Sequence, residues 1–251
     1  SDGPGNSGEL NVIVEELLEI INGGAITASA FGAGNSGKVT VQSKNLTING
    51  RAAGIFAQSF GLGNGGELDV TVEELLEIID GGVIDTSAFR TGNGGKVTVV
   101  AKDLIIDGQG SSFLTGISSL AAPDSTGNGG ELAITVEEPL EIIGGGLITS
   151  ATFAAGNAGA ATVQAKNLTI DNQGSDFLGG IITLVVIDTT GTVGNLVFIL
   201  SDFCEYIKGG TIILLTFSSA NDGTLTLPAT SHHLHVQAAV ALSTPSVALH
   251  V

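Results

Sequence analysis

The sequence predicts an all-β chain folded as a right-handed parallel β-helix, a β-solenoid of about eight three-strand coils. Three observations predict this fold: a glycine–asparagine tetrad recurs at a fixed interval, short alternating strands fill each interval, and charged columns alternate in sign between intervals. The repeat is plainest in "GNSGELNVIVEELLEIINGG" (5–24) and "GNGGELDVTVEELLEIIDGG" (63–82). Periods of about 20 to 50 residues are typical of solenoids and other repeat folds.

The tetrad G-N-x-G sets the length of each coil. It begins at residues 5, 34, 63, 92, 127 and 156, which gives coils of 29 or 35 residues. Weaker matches, "TGTVGNL" (190–196) and "FSSANDGTLTL" (217–227), extend the register to coil starts at 191 and 220. The longer coils carry six extra residues each, near 109–125 and 173–189. The sequence therefore predicts one β-helix domain over 1–227 and a degenerate tail or cap over 228–251.

Each coil is predicted to hold three short strands, in the second coil "KVTVQ" (38–42), "NLTI" (45–48) and "GIFAQS" (54–59). The first strand alternates apolar and polar residues, as half-buried strands do. Two apolar columns should therefore point inward; they are Leu10, Val39, Leu68, Val97, Leu132, Ala161, Leu196 and Leu225, and Val12, Val41, Val70, Val99, Ile134, Val163, Phe198 and Leu227.

A helix and a β-sandwich are the two rivals to the solenoid. The stretch "VEELLEII" has helical propensity, but its counterparts in alternate coils, such as "AKNLTI" (165–170), favour a strand. A β-sandwich also fits frequent turn signals, but the strict 29-residue phasing argues against it. One coil cannot bury its own apolar face, whereas coils stacked in parallel can, and parallel crossovers are right-handed.

Two charged columns alternate in sign along the predicted stack. The first reads Glu9, Lys38, Glu67, Lys96, Glu131, and the second reads Glu15, Lys44, Glu73, Lys102, Glu137, Lys166. Coils starting at 5, 63 and 127 are therefore acidic coils, and those starting at 34, 92 and 156 are basic coils. Like charges one strand apart repel, so alternation turns repulsion into attraction and penalises a slip of one coil. This alternation explains why near-identical stretches lie two coils apart.

Two uncharged columns also support stacking. An asparagine ladder at the turn comprises Asn6, Asn35, Asn64, Asn93, Asn128, Asn157 and Asn221. Asparagine tolerates left-handed backbone, and its amide can bond to the coil above. Phenylalanines at another shared position are Phe31, Phe60, Phe89, Phe153 and Phe217. We predict that this second column packs in the core and is not a ligand site.

The stretch "GNGGELDVTVEELLEIIDGGVIDTSAFRTGNGGKVTV" (63–99) resembles the repeat of filamentous-haemagglutinin-like exoproteins of the two-partner secretion type, especially large cyanobacterial ones. The resemblance covers about 5–195, and 196–227 by register alone. It implies a long secreted β-helix at the cell surface, used for adhesion or as a structural element. The tail from Pro228 onward does not share the repeat.

Composition limits the possible partners. The formal net charge of −17 lacks the basic footprint of a nucleic-acid-binding protein. Charge-driven binding to anionic membranes is also not expected, and no apolar run is long enough for a transmembrane helix. The single cysteine, Cys204, cannot form an intrachain disulfide; it is predicted to be a buried, unreactive thiol.

Candidate chemistry is sparse, and we expect no enzyme activity and no cofactor. The pairs Glu15-Glu16, Glu73-Glu74 and Glu137-Glu138 invite a carbohydrate-active enzyme, but they recur with the period, whereas an active site is normally singular. Calcium is a weaker possibility, at the long loops around Asp124 or Asp188. His232, His233 and His235 have metal-ligating side chains but no acid or cysteine nearby to complete a set, so a solvated tail is favoured.

The predicted function is therefore a non-enzymatic adhesin or structural segment of a larger exoprotein. Glycans at the cell surface are the expected external ligands. An open β-helix edge pairs with other chains unless it is covered, and "SDGPGNSG" offers no evident cap for the first coil. Further coils, or a second molecule, are therefore expected to stack there. The alternatives are a self-assembling extracellular fibre subunit that stacks end to end and a carbohydrate-active β-helix enzyme.

Overall fold

A computed structural model of the chain describes residues 3–123, 126–153, 155–185, 192, 194–208, 211–216, 225–228 and 247–250. These residues form strands and turns and include no helix. The strands are β1 (Leu10–Ile21), β2 (Ala25–Thr27), β3 (Lys38–Asn49), β4 (Gly54–Phe56), β5 (Glu67–Ile79), β6 (Val83–Asp85), β7 (Lys96–Asp107), β8 (Gly116–Ala121), β9 (Glu131–Val136), β10 (Pro139–Ile143), β11 (Leu147–Thr152), β12 (Ala161–Asp171), β13 (Gly180–Val185), β14 (Leu196–Lys208), β15 (Thr211–Thr216), β16 (Leu225–Pro228) and β17 (Val247–His250).

The strands stack into two parallel sheets, which confirms the predicted β-solenoid. The first sheet runs β1-β3-β5-β7, then β9 and β10 as one level, then β12-β14-β16-β17. The second sheet runs β2-β4-β6-β8-β11-β13-β15. Every strand pair is parallel, and the register follows the repeat, since Leu10 pairs with Val39 and Val39 with Leu68. Between β1 and β14 the described chain completes about six turns.

The first two predicted strands of each coil are one continuous strand in most coils. In the second coil they form β3, whose pairing with β5 is interrupted at Lys44 and Asn45 and resumes at Leu46. "VEELLEII" lies within β5 and is extended, as predicted. The acidic coil starting at 127 is the exception, because the strand breaks before Pro139. Proline has no N–H to donate to a ladder, which accounts for a break at this position.

The core lies between the two sheets and is filled by the predicted inward columns. Leu68, Val97 and Leu132 of one column are all 0% exposed, and so are Val41, Val99 and Phe198 of the other. Leu225 and Leu227, the last members, lie in β16, and the backbone pairing of Leu225 with Leu196 follows the predicted register. Glycine is required where coils approach closely: a Cβ on Gly66 would lie 1.9 Å from the carbonyl oxygen of Gly37.

The two long coils place most of their extra residues in matching loops. Loop 108–115 joins β7 to β8 with eight residues, where the preceding coil uses three between paired positions. Loop 172–179 joins β12 to β13 in the same way. Gln109 and Gln173 both have a φ of 49°, and each donates its N–H to an aspartate Oδ1 at 2.9 Å. The insertions are therefore two copies of one turn.

The predicted tail contains one further strand of the first sheet. Within the range 228–251, β17 pairs in parallel with β16, with Val247 opposite Leu225 and Leu249 opposite Leu227. The spacing between these partners is shorter than a repeat, so register alone does not predict the pairing. Asp124, Asp188, His232, His233 and His235, which carry the predicted calcium and histidine features, lie outside the described residues.

Candidate functional site

The charged column at the corner of the first sheet holds two glutamates opposite one lysine. Each acidic coil has one extra residue at this point, because Val14 pairs with Ser43 while Leu17 pairs with Asn45. This is a β-bulge, and it recurs in the coils starting at 63 and 127. Bulges re-aim side chains locally. Here the bulge places the two residues of a Glu-Glu pair opposite a single lysine of the next coil.

The ion pairs at this corner use the second glutamate of each pair. The Nζ atoms of Lys44, Lys102 and Lys166 lie 3.7, 3.1 and 2.8 Å from Oε2 of Glu16, Glu74 and Glu138. The predicted column, with Glu15, Glu73 and Glu137 as partners, is therefore corrected by one residue. Counting along the sequence cannot detect a bulge, which shifts the partner without changing the coil length. Each lysine reaches the acidic coil before it.

The first charged column is only partly paired. Lys38 Nζ lies 3.2 Å from Glu67 Oε1 and 2.5 Å from Asp69 Oδ2, and hydrogen bonds to Asp69 and then Glu67 raise the pKa of Lys38. Lys96 lies in register between Glu67 and Glu131 but forms no ion pair within the described chain. Glu9, on β1's end of the column, is exposed. Lys38 therefore reaches the coil after it, the opposite direction from the corner lysines.

The asparagine column is continuous over the described coils. Asn35 donates its backbone N–H to Oδ1 of Asn6 at 2.9 Å, and the same bond joins each later pair at 2.7 to 2.8 Å. The donors in order are Asn35, Asn64, Asn93, Asn128 and Asn157, and Thr192 continues the series. Asn221 lies outside the described residues. The column satisfies turn N–H groups that have no partner within their own coil.

The phenylalanine column stacks, but on the outside of the solenoid. The rings of Phe31, Phe60 and Phe89 stack with centroids 4.9 Å apart and planes within 6° of parallel. These side chains are 59%, 36% and 41% exposed, so the prediction of core packing is wrong. Alternation explains the error: Ser59 is 0% exposed and points inward, so the next residue, Phe60, must point outward.

The stack is interrupted after its third ring. Ala122 occupies the next level, as the backbone bonds from Ala122 N to Ala88 O and from Phe153 N to Ala121 O show. Phe153 lies one level further on, and Phe217 lies outside the described residues. The long coil thus separates Phe153 from the three stacked rings.

A shallow groove of about 730 Å³ runs along the turn corner beside these columns. Its lining includes the asparagines, the alternating charges of the first column and glycine pairs such as Gly65-Gly66. The groove therefore presents an asparagine side chain about every 4.8 Å, while its charged side chains alternate in sign from coil to coil. Such a surface suits an extended, repetitive ligand better than a small compact one.

The two matching loops, 108–115 and 172–179, expose a second set of phenylalanines. Phe113 and Phe177 occupy equivalent positions and are 45% and 44% exposed. The Arg51 guanidinium lies 4.2 Å from the ring centroid of Phe113, a cation–π contact. Thr115 Oγ1 accepts the N–H of Gly81 at 2.8 Å, which fastens loop 108–115 to the turn of the preceding coil.

Among the described residues, Asp85 is a chemically unusual group that the periodic columns do not explain. It is 6% exposed on β6 and accepts hydrogen bonds from Ser87 Oγ at 2.5 Å, Ser87 N–H at 2.9 Å and Gln58 Nε2. Burial raises the pKa of this carboxyl, and the hydrogen bonds from Ser87 and Gln58 only partly oppose the increase. The sequence offers one signal for this site. Asp85 is an acid, whereas the paired positions in the neighbouring coils are Phe56 and Ser118.

The described hydrogen-bond partners of Asp85 are Gln58 and Ser87, and neither is an acid. Glycoside hydrolysis uses two carboxyl groups, one as acid and one as base or nucleophile. Within the part of the chain that the structure describes, no three His, Cys, Asp or Glu side chains gather closely enough to hold a metal ion. Cys204 lies in β14, paired with Leu168. None of the described residues forms a helix that could cross a membrane.

Comparison with known proteins gave no match for this chain. No protein-family model matches the chain, and no curated protein or solved structure matches it significantly. The fold and its columns define the chain as a repetitive parallel β-solenoid.

Proposed function

We propose that the chain is a non-enzymatic segment of a secreted surface protein that works as an adhesive or structural rod. One observation supports this most strongly: the prominent surface features recur along the solenoid axis. The asparagine bonds repeat over six successive levels, and the corner ion pairs recur in three. A catalytic centre is assembled once, whereas a rod presents the same surface at each coil.

The exposed ring stack and the neighbouring groove are the proposed adhesive face. Phe31, Phe60 and Phe89 place apolar surface at one corner, and the groove supplies amides and charges at the coil spacing. An extended glycan combines apolar faces with regularly spaced hydroxyls, so it could contact both. The extracellular location is part of the proposal and rests on the resemblance of the repeat to secreted exoproteins.

A glycan array probed with the full chain tests the adhesive role. We expect saturable binding to an extended polysaccharide, weakened by Phe60→Ala and by Asn64→Ala but not by Phe113→Ala on the loop edge. Assay of released reducing ends on the same glycans should show no turnover. Turnover would instead favour the carbohydrate-active enzyme, and the absence of binding to any glycan would leave the purely structural role.

Negative-stain electron microscopy over a concentration series tests the structural role. Isolated rods of roughly 40 Å are expected from eight coils at about 4.8 Å each. End-to-end filaments that lengthen with concentration would favour a fibre subunit instead. The specific observation behind that alternative is the uncovered β1, where Leu10 is 37% exposed although its counterparts Val39 and Leu68 are 0% exposed.

A further inference from the structure

The outer edge of β1 is an incomplete level of the solenoid. Within the described chain, β1 pairs on one side only, with β3. Leu10 is 37% exposed, whereas Val39 and Leu68 at the same position in the next two coils are 0% exposed. Val12 and Leu18 are also only partly buried. This edge therefore presents apolar side chains and unpaired strand backbone together.

The asparagine column and the first charged column both begin at this edge. Asn6 heads the asparagine column, in which each asparagine's backbone N–H points to the side-chain oxygen of the coil before. Glu9 heads the first charged column and is exposed. Glu16 differs from Glu9, because Lys44 of the following coil lies 3.7 Å from it. The unmet demand at the edge is thus for a cation opposite Glu9 and an acceptor opposite Asn6.

The described coils show which kind of strand meets such a demand. Lys38 reaches forward to Glu67 of the following acidic coil at 3.2 Å. Asn35 of the same basic coil places its Oδ1 2.8 Å from the backbone N of Asn64. The basic coil starting at 34 therefore supplies, to the acidic coil that follows it, both groups that β1's edge lacks.

We propose that the β1 edge is a docking surface for a parallel coil of the basic type, with its lysine opposite Glu9 and its asparagine opposite Asn6. The proposal rests on the proposed function only in that both concern a rod built from stacked coils. The edge accepts a basic coil and discriminates against an acidic one, because like charges one strand apart repel.

A second copy of this chain fits the edge less well. Head-to-tail stacking would bring up β17, the strand at the other end of the first sheet. The residue that precedes Val247 in the sequence, as Glu9 precedes Leu10, is Ser246. Serine carries no charge, so a second copy brings no lysine to Glu9.

The test extends the full chain by one coil. A copy of residues 34–62 is inserted directly before Gly5 to give the lysine extension. The matched control carries Lys38→Glu and Lys44→Glu within the inserted copy, so that both extensions add the same apolar surface. Thermal unfolding is measured for the parent and both extensions at low salt and in 1 M NaCl, with hydrogen exchange at the β1 amides as the readout of docking.

We expect both Tm and β1 protection to be highest for the lysine extension. Its Tm should exceed that of the glutamate extension by about 2–4 °C, the shift that about 1 kcal/mol gives in a chain of this size. The gap should close in 1 M NaCl, where screening is nearly complete. Equal Tm and equal protection in the two extensions would overturn the charge selectivity. Unprotected β1 amides in both would overturn docking itself.

Sedimentation of the parent chain separates this proposal from the fibre alternative. A concentration-dependent oligomer that disappears when the lysine extension covers β1 would assign the edge to a second copy and overturn the proposal. A parent chain that stays monomeric while the lysine extension docks supports it. Neither result depends on glycan binding, so failure of the adhesive role would leave this inference standing.

Discussion

The inward faces of the two sheets of the solenoid are stabilised by different interactions. In the first sheet, the inward residues Leu46, Leu76 and Leu104 form an unbroken apolar column with 0% exposure. In the second sheet, an apolar isoleucine column stands beside an inward column of small polar residues. Within that column, Thr86 donates to Ser119 Oγ at 2.8 Å, and Ser119 donates to the carbonyl oxygen of Gly95 at 2.9 Å. The inward face of the first sheet is stabilised by apolar burial, and the inward face of the second sheet also by side-chain hydrogen bonds.

The difference shows how the coil closes. Ser119 and Ser150 donate to carbonyl oxygens of Gly95 and Gly130, which belong to the glycine turns of the tetrad. Glycine turns present carbonyl groups with no side chains to shield them, so a polar column facing them satisfies those groups. The second sheet is therefore fastened to the turn by specific bonds. It also tolerates local exceptions, of which Asp85 is the most pronounced.

The largest expected effect is on the buried apolar column of the first sheet. Leu76→Ala removes a fully buried side chain from the middle of the first sheet. We expect a loss of about 2–5 kcal/mol in the free energy of unfolding, the usual range for a buried leucine. Leu62→Ala, at a side chain that is 58% exposed, is the matched control and should change little. Urea denaturation followed by circular dichroism measures both. Equal losses would mean that the columns do not form the stabilising core.

The next effect concerns the polar exception in the second sheet, and it should be stabilising. Burial raises the pKa of the Asp85 carboxyl above its ordinary value. The folded state therefore binds this proton more tightly than the unfolded state does. Stability is lost as pH rises from the unfolded pKa, about 3.9, through the folded pKa. Asp85→Asn should remove this loss and stabilise the chain at neutral pH, because the neutral amide does not carry the cost of burying a charge.

Unfolding of the Asp85→Asn variant across pH 4 to 8 checks this expectation. The gain over the parent chain should grow as pH rises and be smallest near pH 4. Asp80→Asn is the control, because Asp80 is exposed on the adjoining turn and its positive φ of 47° suits asparagine equally well. A gain that is constant with pH, or a destabilisation at neutral pH, would contradict the assigned cause.

The two sheets also show which features of the structure can be predicted from the sequence and which cannot. Period and alternation predict the register of Leu68, Val97 and their columns, because every coil repeats the same burial. They do not predict that Lys102 pairs with Glu74, since a bulge shifts partners without changing the spacing. They also mislead at Phe60, where hydrophobicity suggests the core and strand alternation, fixed by Ser59, dictates the surface. Asp85 occurs once, so no repeated pattern points to it.

A smaller effect is expected at the exposed ring stack. Phe60→Leu keeps an apolar side chain between Phe31 and Phe89 but removes both 4.9 Å ring contacts. We expect a loss of about 0.5–1.5 kcal/mol, the scale of aromatic pairing beyond simple burial. Phe153→Leu is the control, because the level next to it towards Phe89 holds Ala122. If both variants unfold at the same denaturant concentration, the stack contributes shape to the surface and no stability.

The smallest effect should separate paired from unpaired lysines within one coil. Lys102 hydrogen-bonds Glu74 at 3.1 Å, which raises the pKa of the lysine, whereas Lys96 forms no ion pair within the described chain. A lysine stabilised in this way contributes fully below its unfolded pKa, about 10.4, and loses that contribution as pH rises through the folded pKa. Lys102→Gln should therefore lower Tm slightly more than Lys96→Gln at neutral pH and low salt. The difference should disappear in 1 M NaCl, because both side chains are open to screening. If the two variants remain indistinguishable at low salt, alternation of charge acts by excluding misaligned coils during folding and not by stabilising the finished stack.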